Sequence, residues 1–573
     1  MKKLLSMLLC AAMTFSLAAC GKTAQELPKP EAATPGWDGA YDYKIELADR
    51  NIEIKSPDGK DIHSAVWAAS DIVYYEEGHD FTYGEGTEAD AHSAEEADAH
   101  TVVTIRQPGT YVLSGKLSAG QIAVDLGEDA KDDPNAVVTL VLDGVDITCT
   151  VAPAIIFYNV YECGSDDAET ATKDVETHLA GANVYINDGT DNVVNGSYVA
   201  RIYKPDSVVL SADGKKVEDA KKLHKYDAAF YSKMSMNVDG GEGGVLTINA
   251  ENEGLDSELH LTINGGTIFI NSGNDGINTN EDGVSVTTVN GGELYITVTG
   301  ETGEGDGIDS NGWLVINEGA IVVARACNNS MDSGIDSDMG IHIASGAFVL
   351  ATGHMLDRIE GAGQNYAVFQ FAGTQSGKET ITLKNAAGEV VVSDTPVNDY
   401  SVLLVSTPML QPGEYTLWSG NTQLGHSGVQ TGGMGGFSGG GGRPGGMMPG
   451  GNMQMPEGFD PGNMQMPEGF DPGSMQMPEG FVPGNAPQWN DGNMERPEMG
   501  RRPEGGRDFE IPENFDPSNM PNMPANFAPG GMPQGGFGGN FGGMGGGNAK
   551  ATEAVFTISA LENYFSGVGE LSK

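Results

Sequence analysis

A short motif recurs through the middle of the chain at a spacing that few folds can accommodate. A small residue is followed by an apolar one, a variable one and then usually Ser or Thr. The copies are Gly254-Leu255-Asp256-Ser257, Gly276-Ile277-Asn278-Thr279, Gly307-Ile308-Asp309-Ser310 and Gly334-Ile335-Asp336-Ser337, with Ala229-Phe230-Tyr231-Ser232 as a looser forerunner. Successive copies are 25, 22, 31 and 27 residues apart. Between them lie pairs of short β-branched runs split by a bend, as in LHLTINGGTIFI from Leu259 and VTTVNGGELYITV from Val286. Glycine at such a bend admits a backbone conformation that a Cβ resists. A β-sandwich also yields many short strands, but nothing in it repeats one apolar-acidic motif at coil length. The expected fold class is therefore all-β, a right-handed parallel β-helix spanning residues 41–425.

Stacked coils place equivalent positions about 4.8 Å apart, so aligned acids become neighbours. Asp256, Asn278, Asp309 and Asp336 align in one column, and Glu253, Asp275 and Asp306 in another, with Asp332 one place off and Asp338 nearby. From Glu251 to Leu350 there are sixteen Asp and Glu, one Arg (Arg325) and no Lys. Protein cations within this stretch cannot neutralise the columns, and Ca2+, which takes oxygen ligands at about 2.3–2.6 Å, is the expected cofactor. Solvated acidic turns held by an asparagine-like hydrogen-bond ladder are the alternative.

The ends and the overall charge set the expected compartment and partners. Lys2, Lys3 and the apolar run from Leu4 to Leu17 form a signal peptide too short to span a bilayer. Leu17-Ala18-Ala19-Cys20 follows, with Cys20 where a bacterial lipoprotein is cleaved and lipidated. Residues 1–20 are assigned to the lipoprotein signal and 21–40 to a tether, so the expected location is extracellular, held to the bacterial cell membrane through the N-terminal lipid only. The formal charge of −49, from 80 acidic and 31 basic groups, opposes binding to nucleic acid. Removing Cys10 and Cys20 leaves Cys149, Cys163 and Cys327, an odd number and no disulfide scaffold. Residues 428–548 form a long Gly/Met/Pro-rich tract with the repeat GNMQMPEGFDP at Gly451 and Gly462. Its composition points to disorder, because so little apolar surface cannot offset backbone entropy. Residues 549–573 end the chain with the strand-like AVFTIS, placed so that it can return to the folded body.

PGTYVLSGKL from Pro108, VTLVLDGVDIT from Val138, the TINGGTI and DGI repeats, and SVLLVSTPMLQPGEYTLWSG from Ser401 together cover most of residues 41–425. In these segments the chain resembles cell-surface, calcium-binding β-helix proteins of the carbohydrate-binding domain-containing family, which are similar to family 9 pectate lyases. The resemblance implies calcium-dependent binding of extracellular polysaccharide, either polygalacturonate or cellulose. A calcium-dependent pectate lyase and a structural or adhesive surface protein are the alternatives. No catalytic residue is assigned. Trp313 and Arg325 are candidate ligand contacts, the first by stacking on a sugar ring and the second as the one base in the repeat stretch. A protein this acidic repels uronates, so binding to an acidic glycan requires a bridging cation and is sensitive to chelators.

Overall fold

The structure, a computed structural model, describes residues 37–300, 302–329, 331–430, 551–559 and 561–572. The chain divides into two units, Met1–Gly440 with Gly543–Lys573, and Gly441–Gly542. All described residues belong to the first. The signal, Cys20, the tether up to residue 36 and nearly all of the 428–548 tract lie outside the described residues.

The fold is all-β, with large sheets of mixed pairing. Three parallel ladders dominate it. The first runs through Thr101–Ile105, Gly120–Asp125, Ile155–Asn159, Ala228–Ser232, Glu253–Ser257, Ile277–Thr279 and Ile308–Ser310. The second includes Ala182–Ile186, Met236–Gly240, His260–Ile263, Val286–Val289, Trp313–Ile316 and Gly340–Ile343. The third includes Asp191–Gly196, Val245–Ala250, Thr267–Ser272, Glu293–Val298, Ile321–Arg325 and Phe348–Gly353. From Ala228 to Arg325 successive strands fall on the first, second and third ladders in turn, and Gly340–Ile343 and Phe348–Gly353 then extend the second and third.

Period-2 alternation decides what each strand buries. Phe230, Leu255, Ile277 and Ile308 are register partners on the first ladder and are fully buried. Val194, Ile248, Ile270 and Ile296 form a matching column on the third. Both columns contribute to one apolar core. The apolar residue of the motif thus points inward, and the residue after it, Asp or Asn, turns to the opposite face.

Two kinds of glycine hold the circuit tight. Gly266, Gly292, Gly319 and Gly346 sit at the bends with φ of 85°, 78°, 86° and 93°, where a side chain is strained. The motif glycines act through close approach instead. A Cβ on Gly254 would stand 2.5 Å from the Gly276 carbonyl, and one on Gly276 equally close to that of Gly307.

The parallel stacking stops at both ends. Val66–Ala69 pairs antiparallel with Thr101–Ile105. At the other end Tyr400–Ser406 pairs antiparallel with both Phe348–Gly353 and Tyr366–Gln375. A second apolar cluster, containing Phe369, Leu417, Phe556 and Phe565, packs against Val323 and Leu350 of the third ladder. The chain terminus builds part of it. Phe556–Ile558 pairs with Gly413–Ser419, and Glu562–Glu570 with Tyr366–Gln375. Gly428–Gln430, placed by composition in the Gly-rich tract, is a strand against Glu562–Glu570. The partner strand supplies order that its own composition does not.

Candidate metal centre

The register brings the acids of the first ladder together. Asp256, Asn278 and Asp309 are direct neighbours. Asp336 continues the column, its N–H donating to the Ile308 carbonyl at 2.7 Å. Three residues earlier on the same rungs, Glu253, Asp275 and Asp306 follow one another, tied by Gly254 N–H to Asp275 O and Gly276 N–H to Asp306 O, each 2.9 Å.

Within this cluster the side chains receive too few donors. Asn278 Nδ2 donates to Glu253 Oε1 at 3.3 Å, and Asn280 Nδ2 to Asp256 Oδ1 at 2.8 Å. Asp275 Oδ1 accepts the Asp306 N–H at 2.7 Å, and Asp306 accepts the N–H of Ser333. Glu253 Oε2, Asp256 Oδ2, Asn278 Oδ1 and Asp336 Oδ1 are buried with no hydrogen-bond partner. Glu253, Asp256 and Asn278 are only 5%, 0% and 7% exposed, so water does not make up the deficit from outside. An orphaned buried acceptor costs about 1–3 kcal/mol, and more if charged.

The electrostatics agree. Burial, reinforced by the neighbouring charges of Asp256 and Asp227, drives the Glu253 carboxyl well above its ordinary range. Burial acts likewise on Asp256, with Glu258 and Asp227 adding to it, and on Asp275, with Glu253 and Asp309 adding. Asp306 is raised by burial and then by Asp275 and Asp336. Asp309 is pushed up to about 7 by burial and the charges of Asp336 and Asp338. Asp336 is pushed up to about 8 by burial and by a hydrogen bond shared with Asp357, which requires one of that pair to hold a proton. Acceptor-only groups stacked in register have two remedies, protons or a cation between them.

The other expected residues fall at the margins or elsewhere. Asp332 is buried but supplied, its Oδ2 accepting the Gly305 N–H and the Cys327 thiol, both at 2.8 Å. Asp338 is exposed, and burial of its carboxyl end and the charge of Asp336 raise it. Trp313 lies half-buried on the second ladder between Val286 and Gly340. Arg325 belongs to the third ladder and is buried against Asp394, with Nε to Oδ2 at 3.2 Å and an Nη to Oδ1 at 2.7 Å. Among the described residues no three Asp, Glu, His or Cys side chains are placed so that they alone could hold a metal ion, so any cation here would also draw on Asn and backbone oxygens.

Four groups escaped the sequence reading because they lie off the motif. Asp227 is buried next to Glu253's rung and paired with Lys225. Glu258 accepts a hydrogen bond from Tyr231, and Asp357 meets Asp336. Lys225, like Lys233, precedes the lysine-free stretch. Against the effect of burial, Asp227 and then Glu253 and Asp256 hold its ammonium above the usual range. The first end of the column therefore carries a protein cation, and the middle carries none.

Comparison with known proteins gives the cluster a family. The sequence profile for carbohydrate-binding domain-containing protein matches residues 99–402, just over half of the 573-residue chain. A carbohydrate-binding domain-containing protein of Acetivibrio thermocellus is 30% identical over 169 residues, 29% of this chain and 44% of the relative. The chain thus spans less than half the length of that relative. A polysaccharide lyase-like protein from C. thermocellum, solved as a gadolinium derivative, aligns with 53% of this chain and 92% of its own, at 20% identity and a TM-score of 0.30. On the extent of the profile match, the chain belongs to the carbohydrate-binding domain-containing protein family.

Proposed function

We propose that this chain binds extracellular polysaccharide at a bacterial cell surface and requires Ca2+, held by the acidic column of the first ladder, to do so. The observation that carries the calcium reading is the set of buried, partnerless oxygens on Glu253, Asp256, Asn278 and Asp336. Asp275, Asp306 and Asp309 would complete the holding set, with Asp332 and Asp338 at its edge. The hard carboxylate and amide oxygens suit Ca2+ rather than a thiolate- or imidazole-seeking metal. When bound, the ion supplies positive charge that lets the stacked carboxylates ionise and that can attract an acidic sugar. The chain's own part is to hold the oxygens in register and keep water from the inner rungs.

In this reading the three ladders close into a right-handed parallel β-helix, and Cys20 carries the lipid that fixes the protein to the membrane. The family membership supports a carbohydrate partner, and the excess of acids supports a cation bridge if that partner is polygalacturonate. The lyase alternative requires a base that can take a proton. Arg325 is committed to Asp394, and Lys225 is held as an ammonium ion by Asp227, which favours binding over cleavage.

The test incubates the protein with polygalacturonate and with cellulose, with and without a chelator, and follows retention together with unsaturated product. Retention that a chelator abolishes, with no product, is expected. Product formation would replace the binder with a lyase, and retention indifferent to the chelator would remove calcium from the function.

A further inference from the structure

A groove of about 670 Å³ lies along the second ladder, away from the acidic column. Its floor is the row of outward-facing residues Thr139, Asn183, Asn237, Thr262, Thr288 and Val315, register partners on six successive rungs. Five rung spacings make this row about 24 Å long; Asn237 and Thr262 in its middle are buried against the segment 173–178, and the Val315 end is half-exposed. One wall is the segment 173–178.

The segment is locked over the floor. The Thr177 hydroxyl bridges Asn237 Oδ1 at 2.7 Å and Thr262 Oγ1 at 2.6 Å, and Asn237 Nδ2 returns to the Thr177 carbonyl at 2.8 Å and to Asn183 Oδ1 at 2.9 Å. Along the opposite edge Asn290 Nδ2 donates to Asn264 Oδ1 at 2.9 Å, and Asn317 Nδ2 to Asn290 Oδ1 at 2.7 Å. Asn290, the interior amide of this row, spends one N–H and one lone pair on its neighbours and keeps one of each for a ligand. The result is a rigid strip of alternating donors and acceptors at a fixed repeat, the complement of a polymer rich in hydroxyl groups.

Charge selects among such polymers. The lining carries three carboxylates, Asp174, Glu176 and Asp239, against one ammonium, Lys173, which is itself paired with Asp174. An anionic sugar would be repelled here, whereas neutral hydroxyls would not. We propose that this groove takes an uncharged stretch of polysaccharide, read by Thr288 and the Asn264–Asn290–Asn317 row beside the segment 173–178, as a site separate from the calcium column. It rests on the polysaccharide-binding reading above and adds the place and the charge class of the ligand.

The test uses the mature full-length protein with soluble cello-, xylo- and manno-oligosaccharides. Thr288→Val removes a floor hydroxyl, and the next rung already carries a valine, Val315, at the same register position. Val315→Trp fills the groove from a half-exposed position. At least one neutral oligosaccharide should bind. Thr288→Val should weaken it by about 2- to 10-fold, the value of one hydrogen bond, and Val315→Trp should abolish binding. Both variants should keep the calcium-dependent rise in melting temperature and the retention on polygalacturonate. Neutral binding unchanged in both variants, or no neutral binding by a wild type that still holds polygalacturonate, overturns the groove alone. A wild type that retains neither class of glycan overturns the polysaccharide reading with it.

Discussion

The first ladder and its two neighbours stack polar side chains at the same rung spacing and reach opposite outcomes. On the third ladder Asn271 donates to Asn249 at 3.0 Å and Asn249 to Asn195 at 2.9 Å; on the second, Asn317, Asn290 and Asn264 do the same. A carboxamide is both donor and acceptor, so a column of them satisfies itself. On the first ladder Glu253, Asp256, Asp275 and Asp309 are acceptors only, and four buried oxygens in that cluster are left without partners. One scaffold thus builds a self-sufficient seam from Asn and an incomplete one from Asp. The difference is a requirement for positive charge.

The largest test of that contrast is removal of calcium. A chelator should lower the stability of the wild type by about 2.7 kcal/mol per site when calcium had stood at roughly 100 times Kd, measured by thermal unfolding. The pH dependence should change sign with it. Without metal, Asp309 near 7 and Asp336 near 8 keep their protons in the folded state after the unfolded chain has lost them. Stability should therefore fall as pH rises from about 4, the unfolded value, through 7 to 8. With calcium, rising pH removes the competing protons, so stability and calcium affinity should climb through that window.

Asp256→Asn combined with Asp309→Asn turns the column into three consecutive asparagines. In chelator, at a pH where the raised carboxyls would have to ionise, this variant should be more stable than the wild type by about 1–3 kcal/mol, because its two amides carry no charge that needs a partner. Its calcium response should shrink. A full calcium response would place the ions elsewhere. The converse change, Asn290→Asp, should cost about 1–2 kcal/mol by breaking the self-satisfied row, and calcium should not restore it. Smallest of all, Asn271→Ala at the exposed end of the third-ladder row should cost about 0.5 kcal/mol in denaturant unfolding.

Much of the acidic column was legible because one motif carries both halves of the information. Its apolar position, as in Leu255 and Ile308, goes to the core, and period-2 alternation then sends Asp256 and Asp309 to a shared outer face. Spacing alone therefore aligned Asp256, Asn278, Asp309 and Asp336. Asp227, Lys225 and Asp357 were illegible for the complementary reason. They reach the column from segments outside the repeat, so no periodicity points to them, whereas Glu258 directly follows Ser257 at the position that Asp338 holds after Ser337. Arg325 shows the same blindness: its partner Asp394 lies 69 residues away on another element. The motif glycines read only as the small residue of the repeat, yet Gly254 and Gly276 are needed for the approach of the next rung's carbonyl, which is visible only once the rungs are stacked. The neutral groove has no motif at all. Its floor joins single Thr, Asn and Val residues from six strands, and its wall comes from the long loop after Val160.

The central claim is that stacked acids on the first ladder share divalent cations. Calorimetric titration of the metal-free protein with Ca2+ at pH 7, repeated in two buffers of different ionisation enthalpy, tests it most directly. Saturable binding is expected, with a buffer-dependent heat that reports protons released from the raised carboxyls, and both should diminish in Asp256→Asn with Asp309→Asn. Binding that is absent, or that persists undiminished and without proton release in the variant, would contradict the account.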